Sequence, residues 1–279
     1  MRMCKKFVFL LSMVLVVALA GNALATAGGY DYWLGATSSD WFTGTNWGYG
    51  GLPASGDWID VRSDTWYGNF PVINSGVARA GTIRMNPGYG PETPTLTVNG
   101  GSLIINSNLY VGNVGGGAKV ILNSGQIINN GITELGYGPA GVGKIYVNGG
   151  TFSAGDMRMP PTWDGPSTYG GYLYIASGEV DTSYLDIANG NIEFTQLLSA
   201  GGGKFFNTQD MNDVRWADWQ TKINDYIGTN KIFADGGTIQ VNYSSDGTTR
   251  TTEMYGVPEP MTMALLGVGG LLLRRRRTK

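Results

Sequence analysis

Histidine does not occur in this sequence, and cysteine occurs once, at Cys4. Without histidine the commonest general base and zinc ligand are missing, so Ser-His-Asp and Cys-His arrangements are excluded. Charge is also scarce, at 14% of the 279 residues. What is abundant is glycine, 45 residues of it, which suits short strands and tight turns far better than long helices. An apolar fraction of 42% is ample for a packed core and argues against disorder.

The N-terminus reads as a secretory signal peptide over residues 1–27. Arg2, Lys5 and Lys6 precede an apolar run from Phe7 to Ala20, and Ala23-Leu24-Ala25 and Ala25-Thr26-Ala27 offer small-residue cleavage sites. The alternative is a retained N-terminal anchor. Cleavage removes Cys4, which excludes disulfides, thiol catalysis and thiolate metal sites from the mature chain. Removing the basic residues of both termini leaves 11 basic against 21 acidic side chains, near −10. That balance argues against nucleic acid or an anionic membrane surface as a partner.

A repeat runs through residues 71–195. Leu96-Thr97-Val98-Asn99-Gly100-Gly101, Val120-Ile121-Leu122-Asn123-Ser124-Gly125, Ile145-Tyr146-Val147-Asn148-Gly149-Gly150 and Leu173-Tyr174-Ile175-Ala176-Ser177-Gly178 share one motif, with a fainter copy at Val72-Ile73-Asn74-Ser75-Gly76. The anchoring glycines are spaced by 25, 24, 25 and 28 residues, the signature of a solenoid. Alternating aliphatic residues predict a short strand with one inward face. Leu103, Ile127, Phe152 and Val180 recur two residues past each glycine, and Leu109-Tyr110-Val111 begins a further strand. The glycines supply corners, and Asn74, Asn99, Asn123 and Asn148 are expected to stack as a ladder. The predicted fold is all-β: a single-stranded parallel β-helix of about five coils. One coil buries too little to offset its ordering entropy, so the coils share a core and both ends need caps.

Residues 28–70 are rich in tryptophan and read as the N-terminal cap. The alternative is a sugar-stacking platform formed by Trp33, Trp41 and Trp47, or by loops carrying Tyr137 and Tyr169. Gly136-Tyr137-Gly138-Pro139-Ala140-Gly141 matches the spacing of a dinucleotide fingerprint, but a strand pattern follows it where that motif needs a helix. No cofactor is assigned. Residues 196–256 read as a C-terminal cap, with a helix over 213–227 (stripe Trp216, Trp219, Ile223, Ile227; stop at Gly228) and a strand over 237–243. A partner-docking role is the alternative for that helix.

The last 23 residues carry the most specific pattern. Val257-Pro258-Glu259-Pro260 leads into an uncharged apolar run, Met261 to Leu273, and then Arg274-Arg275-Arg276-Arg277-Thr278-Lys279. This order resembles the PEP-CTERM proteins. Their Pro-Glu-Pro motif, transmembrane helix and basic tail form a sorting signal read by an exosortase, a membrane cysteine transpeptidase-like protease. Pro258, Glu259 and Pro260 match the motif residue for residue. The apolar run of 13 residues spans roughly 20 Å as a helix, short of a hydrocarbon core of about 30 Å. An ordinary stop-transfer anchor is the alternative. The resemblance implies export past signal peptidase, transient anchoring in the inner membrane, processing, and release to the cell surface or matrix. The repeat body also looks like autotransporter-type passenger repeats.

The first functional expectation is therefore a structural or adhesive envelope or matrix protein, with extracellular polysaccharide as a partner and the membrane engaged only through the tail. The second is a carbohydrate-binding β-helix. The third is a polysaccharide lyase or hydrolase, which needs paired carboxylates or acids with a basic residue. Asp156, Arg158, Asp164, Glu179, Asp181 and Asp186 are the candidates. Their acids do not recur with the repeat, so they read as a solvated outer face. No catalytic or metal-binding residue is assigned.

Overall fold

The computed structural model describes residues 28–62, 67–86, 93–113, 116–137, 141–159, 170–213 and 218–259. The chain winds into a parallel β-solenoid of about six turns, one more than the motif count predicts. Each full turn contributes to three faces.

The first face is a seven-stranded parallel sheet: β3 (Val72–Ile73), β6 (Thr95–Val98), β9 (Gly117–Leu122), β11 (Val142–Val147), β13 (Gly170–Ile175), β15 (Gly190–Phe194) and β17 (Ile232–Ala234). The second face stacks β4 (Val77–Ala80) and β7 (Ser102–Ile105) on the first halves of β10 (Gln126–Leu135), β12 (Thr151–Met159) and β14 (Glu179–Ile187), and then on β16 (Lys204–Asp210). The third holds β1 (Tyr30–Tyr32), β2 (Trp58–Arg62), β5 (Thr82–Asn86) and β8 (Leu109–Val111), continued by the second halves of β10, β12 and β14. The second and third faces meet where the β10–β12 register shifts between Asn129 and Ile132. Buried Asn129 braces that bend by donating to Thr133 Oγ1 at 2.8 Å.

The core follows from the alternation. Leu96, Val120, Ile145, Leu173, Ile192 and Ile232 lie in register, as do Val98, Leu122, Val147, Ile175, Phe194 and Ala234. All are buried, each aliphatic worth roughly 1.5–3 kcal/mol relative to exposure. Gly76, Gly101, Gly125, Gly150 and Gly178 have φ values of 79°, 71°, 83°, 77° and 82°, left-handed conformations that other residues adopt at a cost. From Gly101 to Gly178, the space where each Cβ would stand holds the backbone of the preceding glycine. Beside this corner runs the asparagine ladder: Asn99 donates to Asn74 at 3.0 Å, Asn123 to Asn99 at 2.8 Å and Asn148 to Asn123 at 2.8 Å. These three amides donate toward the preceding turn, and all four side chains are exposed.

The parallel stack extends beyond residues 71–195 at both ends. On the N-terminal side β1 and β2 join it in parallel, while Asp40 bridges to Val72 and closes the first turn. On the C-terminal side β16 and β17 add two more parallel pairings. The chain then reverses: β19 (Thr249–Pro258) runs antiparallel to β16, and β18 (Gly237–Ser245) antiparallel to β19. The strand expected at 237–243 is thus one arm of a hairpin that ends the stack.

The helix is shorter than predicted. It spans Trp219–Gly228, here α1, and residues 214–217, including Trp216, lie outside the described residues. Asp218 caps its start, accepting from the Thr221 N–H at 3.4 Å. Upstream, Asp210 turns the chain by accepting from Asn212 N at 2.7 Å, so Met211–Asp213 is a turn and not a first helical turn. Short polar side chains that bond nearby backbone favour caps and turns over helix interiors, which the apolar stripe alone could not reveal. The helix stops through Asn230, in the left-handed region at φ 59°, two residues past Gly228. Trp219, Ile223 and Tyr226 form its buried face.

Candidate functional site

The outward positions of the third face form a column that crosses the strands. Asp60, Arg84, Tyr110, Glu134, Arg158 and Asp186 are successive register partners from β2 to β14. Tyr32 precedes Asp60 on β1, and α1 closes the far end with Lys222 at 3.5 Å from Asp186. The charges alternate in sign along the column, with Tyr110 as the neutral member.

Asp60 organises the N-terminal end of the column. Its carboxylate is fully buried and accepts from Arg84 Nε at 2.8 Å and Nη2 at 2.7 Å, from the Tyr30 hydroxyl at 2.7 Å and from Arg62 Nη2 at 3.3 Å. Burial alone would push the Asp60 pKa up, but the bonds from Arg84 and Tyr30 and the two guanidinium charges outweigh it and hold it below the ordinary value. The bond to Asp60 pushes Arg84 up, and burial with the Asp60 bond pushes Tyr30 up. Asp60 is therefore an ionised anchor that aims three donors, since a depressed pKa makes it a poor proton acceptor.

The same end carries exposed aromatic rings. Trp58 is 42% exposed, Tyr30 39% and Tyr49 67%. Tyr30 and Trp58 are register partners, Arg84 lies over the Trp58 ring at 5.6 Å, and Arg62 over the Tyr32 ring at 6.0 Å. Tyr32 and Tyr49 meet edge to face at 6.3 Å.

The tryptophans of the alternative platform reading lie elsewhere. Trp33, Trp41 and Trp47 are each 1% exposed, and their indoles interlock edge to face, Trp33 on Trp47 at 4.9 Å and Trp41 on Trp47 at 4.8 Å. Trp47 donates to the Trp41 carbonyl at 2.9 Å and Trp33 to the Asn69 carbonyl at 2.6 Å, which satisfies both buried N–H groups. These three offer no face to a sugar, because the first turn uses them to cover its core. Tyr137 packs on Tyr110 at 5.1 Å, and Tyr169 lies outside the described residues.

The candidate acids divide between faces. Arg158 binds Asp156 at 3.1 Å, lies 3.9 Å from Glu134 and is the register partner of Asp186. Glu179 and Asp181 belong to the second face, where burial pushes the Asp181 carboxyl up, and Asp164 lies outside the described residues. The acids do not recur in register, as expected, but charged residues do: in the column acid and arginine alternate. The spacings Asp60–Arg84 and Glu134–Arg158 are both 24 residues, the signal that could have revealed the column. The Asp186 end is fixed by Tyr226, whose hydroxyl donates to Asp186 at 3.1 Å and accepts from Ile187 N at 3.0 Å. Burial pushes that phenol well up.

Of the residues expected to form a sorting motif, two are described, at the last strand. Pro258 ends β19 opposite Gly237, and Glu259 follows it exposed. Pro260, the apolar run and Arg274, Arg275, Arg276 and Arg277 lie outside the described residues, as do residues 1–27, expected to be a signal peptide. Among the described residues no helix is long and apolar enough to cross a membrane. The six-residue glycine-rich segment at 136–141 joins β10 to β11, two strands, and not a strand to a helix. Comparison of the chain with protein families, curated proteins and solved structures finds no match.

Proposed function

We propose that this chain is an exported structural and adhesive protein of the cell envelope or extracellular matrix, delivered through its C-terminal signal. The observation that carries the reading is the position of the motif: Pro258 is the last residue of β19, the final strand of the closing hairpin, and Glu259 after it is exposed. A protease reading that motif would act at the end of the closing hairpin, away from the coils of the stack. In this reading signal peptidase and exosortase act in turn, and the membrane is engaged only before processing. The solenoid is then a stiff spacer whose outer faces meet the matrix. Replacing Pro258 and Glu259 together by alanine in the native host tests it. The expected result is a membrane-retained precursor with its tail uncut, seen by fractionation and intact mass; unchanged maturation refutes the sorting role.

A second reading, carbohydrate binding, is favoured by the exposed ring of Trp58 beside Tyr30 on one sheet face. Aromatic faces stack on the apolar faces of sugars, and a soluble domain keeps such rings outside at a hydrophobic cost.

A further inference from the structure

We propose that the edge of β18 away from β19 is a homophilic docking surface, which pairs antiparallel with β18 of a second copy of this chain. This goes beyond the structural reading by supplying a partner, and it does not rest on how the chain is delivered. The other strands with a single strand neighbour, β1, β3, β4 and β17, have only three, two, four and three residues. Edges that short give another chain little to pair with. β18 has nine, Gly237–Ser245, with no charged residue, no proline and no break in its register with β19. Charge, proline, a bulge and brevity are the usual devices that blunt a sheet edge, and β18 has none of them.

Two hydrogen bonds fix which backbone groups of β18 face outward. Asp246 N donates to the Thr249 carbonyl at 3.3 Å, and Met211 N donates to the Thr248 carbonyl at 2.9 Å. Antiparallel ladders alternate from such a pair, so Thr238, Gln240, Asn242 and Ser244 bond to β19. Ile239, Val241, Tyr243 and Ser245 then aim their N–H and C=O groups away from β19, where no strand lies among the described residues. The side chains of Ile239, Val241 and Tyr243 are only half-buried. On that face α1 holds the Tyr243 ring, with Trp219 edge to face at 5.1 Å and the hydroxyl donating to Asn224 at 3.0 Å.

A second copy fits this edge through the strand's own sequence. Pairing about a two-fold axis at Val241 sets Val241 against the partner's Val241 and Ile239 against the partner's Tyr243. On the other side of the strand it sets Gln240 against the partner's Asn242 and Thr238 against the partner's Ser244. β-branched and aromatic residues thus meet each other, neutral polar residues meet each other, and no like charges are opposed. The nearest acids along the chain, Asp235 and Asp246, fall opposite the partner's Gly247 and Gly236, outside the paired strands. A slip of two residues either way would bring one of them against the strand, so the acids favour the central register. β16, β19 and β18 follow one another outward from the last turn, so the pairing joins two solenoids end to end.

Sedimentation equilibrium of the full-length chain in mild detergent reads the assembly directly. The expected result is a reversible two-chain species and no longer polymer, because a two-fold pairing closes on itself. Val241→Pro removes an N–H that faces away from β19, spares the hairpin's own ladder, and should weaken the dimer tenfold or more. Val241→Cys, in a Cys4→Ser background, should cross-link to its counterpart on mild oxidation, whereas Val77→Cys, exposed on the second face, should not. Circular dichroism and a urea midpoint near the parent's show that the proline variant folds; if it does not, the cysteine result decides. The proposal is overturned by a parent that stays monomeric, whether residues 260–279 or another protein take the edge. It is also overturned by polymers longer than two, or by a folded Val241→Pro that dimerises like the parent, which would place association elsewhere, as in the apolar tail. Val241→Cys that stays uncrosslinked where the parent pairs overturns it too. None of these outcomes depends on tail processing, so failure here is distinguishable from failure of the sorting reading.

Discussion

The glycine column gives the sharpest quantitative test of the stack. Gly125 and Gly201 share φ values of 83°, so alanine at either pays the left-handed cost of roughly 1–2 kcal/mol. Their surroundings differ. A Cβ on Gly125 would run into the Gly101 backbone of the preceding turn, whereas one on Gly201 meets nothing within 4 Å. Backbone cannot rotate aside as a side chain can, so Gly125→Ala must also force the two turns apart, an overpacking cost of about 1–3 kcal/mol. The expectation is a loss of about 2–5 kcal/mol at Gly125 and about 1–2 kcal/mol at Gly201. With an m-value of about 2–3 kcal/mol/M, the gap separates the two urea midpoints by roughly 0.3–1.5 M. Far-ultraviolet circular dichroism in urea reads it directly. Equal midpoints would mean that turn-to-turn contact at this corner contributes nothing, and that the glycines serve backbone conformation alone.

Two further outcomes follow from burial and charge. Leu122 is fully buried between Val98 and Val147, so Leu122→Asp should destabilise by several kcal/mol; a near-neutral urea midpoint would contradict its inward position. Because the folded-state pKa of Asp60 lies below its ordinary 3.8, its contribution is complete above that value and is lost as pH falls through the folded one. Asp60→Asn should therefore lower the midpoint at neutral pH, by stranding Arg84 without its carboxylate, and leave a flatter curve below about pH 4. Parallel curves for parent and variant would refute the anchoring role.

Much of the architecture was legible because it is written in single residue types. A glycine every turn, an asparagine two positions before most of them and alternating aliphatics each report one physical need, and Asn74 through Asn148 pair as the spacing implies. The outer column was harder to see because its requirement is a relation between neighbours, opposite sign, and not an identity. The tryptophan cap was legible as a cluster but not residue by residue. Which indole faces inward depends on how the chain crosses the first turn, information that lies in the pairing of Asp40 with Val72 and of Trp33 with Trp47. Trp58 is the exception: Ile59 and Val61 alternate with it and with Asp60, and strand alternation alone turns Trp58 outward. The C-terminal hairpin was half visible. Thr249–Pro258 is too polar to advertise a strand, and it earns its place by pairing on both sides with β16 and β18.

The corner built on the glycine column has a counterpart whose dimensions differ. From β3 to β4, β6 to β7, β9 to β10, β11 to β12 and β13 to β14 the connection is three residues every time. From β5 to β6, β8 to β9, β10 to β11 and β12 to β13 it is eight, five, six and ten. Over these turns the first corner is held by backbone passing over backbone, lengthening only at the last, where β15 to β16 takes nine residues, whereas the second varies from turn to turn. The molecule thus separates a part that sets its pitch from a part open to revision, turn by turn. New loops can be acquired at the permissive corner without a change of register, and a lineage of such proteins can diversify what it displays while keeping the same rod.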